Sequence, residues 1–300
     1  MFQNILVPLD GSKLSEAALQ PAAVLASRLH SHVTLLHVIE QDAPAEIHKE
    51  HHLTDADEAR AYLQEVAERA FPRDVEVETH VHTAPVSDVA DSIVDHAKSE
   101  FEPDLIVTCT HGRGGMRDML FGSIAQQVVA QGQTPLLLIK PQVTGFRLQT
   151  ILAPLDPDSI HDDGLPLTER LAKAFGAQLV LLSVVPTFST LQGQEAAASS
   201  LMPGTTQAML DIREETARTH LKEHVESLER QGIGASAEVA RGDPGPTIAR
   251  AADESNCDMV VLSTHGKAGV GAFWARSVAP QVAQRTKTPL LLIPLPPSDQ

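Results

Sequence analysis

Residues 109–117 read Cys-Thr-His-Gly-Arg-Gly-Gly-Met-Arg: two arginines, one histidine and no acid, in a chain whose acids outnumber its bases by 39 to 23. A little further on, Gly122-Ser123 opens a segment with apolar residues at helical spacing, Ile124-Ala125-Gln126-Gln127-Val128-Val129. Glycines leave backbone N–H groups uncovered, and a serine at a helix start leaves free donors at the positive end of the helix dipole. Together they carry phosphate-binding chemistry. The stretch 263–277 repeats the pattern with His265, Lys267 and Arg276 and again no acid. Glycine-rich loops after strands also serve as plain turns, so the loop alone assigns nothing. Neither Gly-x-x-x-x-Gly-Lys-Ser/Thr nor a Gly-x-Gly-x-x-Gly after the first strand occurs.

The elements that must position these loops come in two copies. Asn4-Ile5-Leu6-Val7-Pro8-Leu9-Asp10 recurs as Thr150-Ile151-Leu152-Ala153-Pro154-Leu155-Asp156, and Thr134-Pro135-Leu136-Leu137-Leu138-Ile139 recurs as residues 288–293. A period near 150 residues is that of a duplicated domain, not of a stacked array. The boundary is expected near 141–145, giving domains 1–143 and 144–300. The second half is longer, and its extra residues are expected at 186–206, a Gly/Ser/Ala/Thr stretch with turn character. In the first half, short apolar runs at 5–7, 33–38, 75–81, 105–107 and 136–139 read as strands; 14–30, 55–71, 86–99 and 123–131 read as helices. The second half repeats the strands near 150–153, 179–185, 235–240, 259–262 and 290–293. Such alternation predicts an α/β fold of two doubly wound, five-stranded parallel sheets, Rossmann-like, with ligands outside the carboxyl ends of the strands.

Composition narrows the classes. A net charge of −16 argues against nucleic acid or an anionic membrane as partner. No apolar run approaches the roughly 18 residues of a membrane span, and the short apolar start reads as a first strand, not a leader. Two cysteines, Cys109 and Cys257, make no disulfide framework and fit a reducing cytoplasm.

Asp10 and Asp156 follow equivalent strands and serve either as turn-formers or as ligand contacts. His48 and His52 have the i, i+4 spacing that can hold zinc, with His51 beside them, but no third ligand is evident and a solvated helix entry is the better reading. Both cysteines read as inert thiols.

Val7-Pro8-Leu9-Asp10-Gly11-Ser12, Leu36-His37-Val38, and Gly112 followed after nine residues by Gly122-Ser123 coincide in the first half. In this combination the chain resembles the universal stress protein family, over nearly its whole length and twice. The resemblance implies the adenine nucleotide alpha hydrolase-like variant of the fold. It also implies ATP binding, with Mg2+ as a possible companion: Pro8, Asp10 and Val38 around the adenosine, and Gly112, Arg113, Gly122, Ser123 and Ile124 around the phosphates. Cys109 stands where the family has glycine. In the second half the matching residues are Asp156, Ser263, Gly266, Arg276 and Ser277, with arginine in place of the late glycine, so a degenerate site is expected. Arg276 either fills that pocket or pairs with an anion. The implied function is a nucleotide-responsive regulator with no catalytic residues and at most weak ATPase activity. The alternatives are a nucleotide-independent interaction scaffold and a slow ATP hydrolase. The family commonly dimerises through its last strand, which implies a homodimer or pairing of 136–139 with 290–293 as an intramolecular pseudo-dimer; ATP against AMP, and the protein partner, stay open.

Overall fold

The computed structural model describes residues 1–44, 46–47, 50–110, 125, 127–128, 134–143, 145–156, 162, 164–265 and 278–295. Its strands are β1 (Asn4–Pro8), β2 (His32–Glu40), β3 (Glu46–Ile47), β4 (Glu50–His51), β5 (Val77–Val86), β6 (Leu105–Cys109) and β7 (Leu136–Ile139), then β8 (Thr150–Pro154), β9 (Gln178–Val185), β10 (Ala235–Arg241), β11 (Met259–His265) and β12 (Leu290–Leu295). By its contacts the chain divides into two compact units. One holds Met1–Arg147 with Thr264–Arg276 and Pro289–Gln300; the other holds Leu148–Ser263 with Ser277–Thr288.

In the first unit the strand order is β12-β7-β6-β1-β2-β5. β1 pairs in parallel with β2 and β6, β2 with β5, and β6 with β7. The five parallel strands expected of the first half are all there. β1 to β2 to β5 steps one way and β6 to β7 the other, so right-handed crossovers put their connections on opposite faces. The centre is apolar because both faces are covered: all of β6 and β7 is buried, and Leu6 and Val7 are inaccessible. β5, the outer strand, has no buried residue and carries Glu78, His80 and His82, a polar edge that discourages pairing with another chain.

β12 runs antiparallel to β7 with Leu290 opposite Leu138, Leu291 opposite Leu137 and Leu292 opposite Leu136. The last strand of the second repeat therefore belongs to the first unit, where it covers the leucine-rich edge of β7. The second unit keeps four parallel strands among the described residues, β10-β9-β8-β11.

Helix ends follow local chemistry. Asp55 caps the helix Ala56–Ala70 by accepting the N–H groups of Asp57 and Glu58 at 2.9 and 3.0 Å. Asp88 caps Val89–His96 in the same way, and β5 before it runs on to Val86, beyond the expected end at 81. The stretch 186–206 differs from expectation. It holds the helix Gly193–Leu201 and the start of a 28-residue helix, Pro203–Arg230. The hydroxyls of Ser199 and Thr206 turn back onto the carbonyls of Ala196 and Met202, and Pro203 sits where a helix tolerates proline, so the residues that suggested turns are absorbed into helix. Arg213 braces the pair of helices through Glu195 at 2.5 Å.

Candidate functional site

Strand order reverses at β1, between β2 and β6, and the carboxyl ends of these strands hold the described candidates of the first half. β1 is in register with β2 through Pro8 opposite Leu36, and Leu9 N–H reaches the Leu36 carbonyl at 2.8 Å. The chain then turns. Asp10 Oδ1 accepts the N–H of Ser12 at 2.9 Å and its hydroxyl at 2.7 Å. Ser12 is fully buried, its hydroxyl oxygen accepts Ser15 N–H at 3.2 Å, and Ser15 Oγ donates to the Ser12 carbonyl at 2.8 Å. Gly11 permits the turn with φ of +87°. A Cβ there would stand 2.7 Å from Leu53 Cδ1.

Pro8, Val38 and Cys109 are buried, whereas Asp10 is half-buried and reached by solvent. Cys109 ends β6 opposite Ile139, and Thr110 closes the strand by donating to the Ile139 carbonyl from N at 2.7 Å and from Oγ1 at 3.3 Å. Burial, with the charge of Asp10 adding to it, pushes the Cys109 thiol up to about 12. Burial first, then the charges of Glu16 and Asp10, raise the Tyr62 hydroxyl. The structure thus brings Pro8, Asp10, Val38 and Cys109 to one end of the sheet. Gly112, Arg113, Gly122, Ser123 and Ile124 lie outside the described residues, and the expected helix 123–131 is described only at Ala125, Gln127 and Val128, which are helical.

Sequence reasoning quoted His37 without assigning it work. Its ring lies buried between two carbonyls, Nδ1 2.8 Å from Leu9 O and Nε2 3.0 Å from Leu53 O, joining the end of β1 to the segment that meets Gly11. An ionisable residue inside an apolar strand was the available signal.

The second half keeps the backbone and loses this link. Leu155 N–H reaches the Leu182 carbonyl at 2.8 Å, as Leu9 reaches Leu36. Ser183 stands in the place of His37, and its buried hydroxyl has no hydrogen-bond partner among the described residues. Asp156 follows β8, and Ser263 is half-buried in β11; Gly266, Arg276 and Ser277 lie outside the described residues. Cys257 is buried, its thiol pushed up to about 11 by burial first of all.

The expected solvated helix entry is corrected: Glu50–His51 is a short strand paired with Glu46–Ile47, and the helix begins only after Asp55. His52 is buried with Nδ1 3.2 Å from the Pro44 carbonyl, and His48 lies outside the described residues. Among the described residues, two groups bring three potential ligand atoms within 4.8 Å of one another, His80 with His96 and Glu100, and Asp162 with His220 and His224. No described helix is long and apolar enough to cross a membrane.

Comparison with known proteins agrees with the repeat. The model of the universal stress protein family matches residues 1–140 and again 147–294. A universal stress protein of Mycolicibacterium smegmatis is 24% identical over 311 residues, covering 97% of this chain and 96% of that one. The universal stress protein YxiE of Bacillus subtilis is 28% identical over 153 residues, 47% of this chain and all of YxiE. Among solved structures, a universal stress protein from Archaeoglobus fulgidus superposes with a TM-score of 0.71 at 17% identity, over 99% of this chain and 97% of that one.

Proposed function

The chain belongs to the universal stress protein family, and from that premise we propose that its first half, residues 1–143, binds an adenine nucleotide at the carboxyl ends of β1, β2 and β6. The observation that carries the reading is the Asp10–Ser12 turn, locked by two hydrogen bonds where the strand order reverses. Asp10 is the acceptor that solvent reaches, and Pro8, Val38 and Cys109 form an apolar floor beneath it. One acceptor over an apolar floor suits an adenosine, which needs a flat apolar wall and few polar anchors. The phosphates fall to the basic glycine loop, through the backbone of Gly112, Arg113 and Ile124 and the Gly122-Ser123 helix start. ATP with Mg2+ is the ligand to test first; the cation neutralises phosphate charge.

The second half, 144–300, has Ser183 for His37 and Arg276 for Gly122, and in this reading it is a degenerate site. The protein then acts in the cytoplasm as a regulator: nucleotide stabilises one conformation by binding it more tightly than the other. Pairing of β7 with β12 favours a second reading, an interaction scaffold that needs no nucleotide, since it occupies a strand edge within one chain.

Calorimetric titration of Mg-ATP into nucleotide-stripped protein tests the proposal. One-to-one binding that is lost in Gly122→Arg supports the first-half site, and a second site gained in Arg276→Gly supports degeneracy. No binding to the stripped wild type leaves the scaffold reading in its place.

A further inference from the structure

His220 and His224 lie one turn apart on the helix Pro203–Arg230, where i, i+4 spacing puts both rings on one face. Both point at one carboxylate oxygen: Asp162 Oδ2 is 3.1 Å from His220 Nε2 and 3.0 Å from His224 Nε2. The rings meet edge to face with centroids 4.6 Å apart. The helix that presents them is anchored by Ala217, Leu221 and Leu228, all buried. The three side chains are 19, 16 and 25% exposed for Asp162, His220 and His224, so the group is largely sheltered.

Hydrogen bonding leaves the group incomplete. His224 Nε2 is aligned on Asp162 Oδ2, but His220 Nε2 approaches the same oxygen without the alignment of a hydrogen bond. Asp162 Oδ1 and His220 Nε2 are inaccessible and have no hydrogen-bond partner among the described residues. Buried polar atoms left in that state are costly, and each calls for an explanation. A cation supplies one. The ligand atoms all lie within 4.8 Å of one another, and two imidazole nitrogens with one carboxylate oxygen are the donor set of zinc-class metals. A single ion bound to both Nε2 atoms and to the carboxylate engages all three side chains.

We propose that Asp162, His220 and His224 form a binding site for a zinc-class divalent cation, three protein ligands leaving a further position for water. Bound there, the ion ties the segment between β8 and the helix Leu165–Phe175 to the long helix Pro203–Arg230. The site is independent of the nucleotide reading and shares no residue with it.

The test is titration of metal-stripped, full-length protein with Co2+, followed by ligand-field absorption and then displacement by Zn2+. One equivalent bound in a four-coordinate spectrum is expected, weakened at least tenfold in Asp162→Asn and His220→Gln and unchanged in His96→Gln, which alters the other histidine cluster. Absence of binding to the wild type overturns the proposal, as does binding that survives both ligand substitutions or is lost only in His96→Gln. Zinc K-edge absorption of the loaded wild type needs no variant, and a spectrum without imidazole ligands likewise overturns it.

Discussion

Asp104 holds the start of β1 through Asn4: its Oδ1 accepts Asn4 N–H at 3.0 Å while Oδ2 accepts Gln3 N–H at 2.7 Å. Asp258 does the same for β8, its Oδ2 accepting Gln149 and Thr150 at 2.8 and 2.9 Å. One carboxylate thus fixes β1 to the turn before β6, and one fixes β8 to the turn before β11. Because water can replace bonds at this surface, Asp104→Ala and Asp258→Ala are each expected to cost only about 1 kcal/mol. Urea unfolding checks this; an unchanged midpoint in both variants removes the assigned role.

Gly11→Ala is expected to do more harm than its size suggests. The added methyl must adopt a left-handed φ of +87° and meets Leu53 Cδ1 at 2.7 Å. A cost of roughly 1–3 kcal/mol follows from the backbone alone. Thermal unfolding reports the loss, and weaker ATP binding should accompany it because Asp10 is the next residue.

Glu16 makes stability depend on pH. Its side chain is 9% exposed, bonded to Lys13 at 2.9 Å and to Arg69 at 3.0 Å. Burial raises its pKa, but the bonds from Lys13 and Arg69 outweigh it, and the net shift is downward. A depressed carboxylate contributes stability that is whole above the unfolded value, about 4.3. That contribution is lost as pH falls through the lower folded value. Glu16→Gln should therefore destabilise the protein at pH 7, and the gap from wild type should narrow in acid as Glu16 itself protonates. Urea midpoints at pH 7 and pH 3 show it; parallel losses in wild type and variant would refute it.

Cys109 should be slow to react despite its place in the site. With the thiol pushed up to about 12, about one in ten thousand is ionised at pH 8. A disulfide reagent at that pH should label neither Cys109 nor Cys257 until denaturant is added, after which both react. Rapid labelling of Cys109 in the native protein would mean a more open strand end than the one described.

Much of the fold could be read from residues. The apolar runs of β1, β2, β6 and β7 and the duplicated Asp10 and Asp156 marked the repeat because central strands covered on both faces must be apolar. The helices at 193–230 were hidden because Ser199, Thr206 and Pro203 carry turn propensities that back-bonding and an N-terminal position reverse. The membership of β12 in the first unit was legible only as an option, since identical leucine runs do not say which edge they cover. At the site, the turn at Asp10 was visible in its neighbours Gly11 and Ser12. The bonds of His37 to Leu9 and Leu53, and the convergence of Asp162 on His220 and His224, join positions far apart in sequence and needed coordinates.

In the proposed function the first half, and not the second, holds the nucleotide. Paired calorimetry of Mg-ATP with Asp10→Ala and Asp156→Ala tests it most directly, since these residues occupy equivalent places after β1 and β8. Removing a charged hydrogen-bond acceptor should weaken binding by about 10-fold or more in Asp10→Ala. Affinity in Asp156→Ala should match the wild type; the reverse pattern, or equal affinity in all three proteins, would contradict the claim.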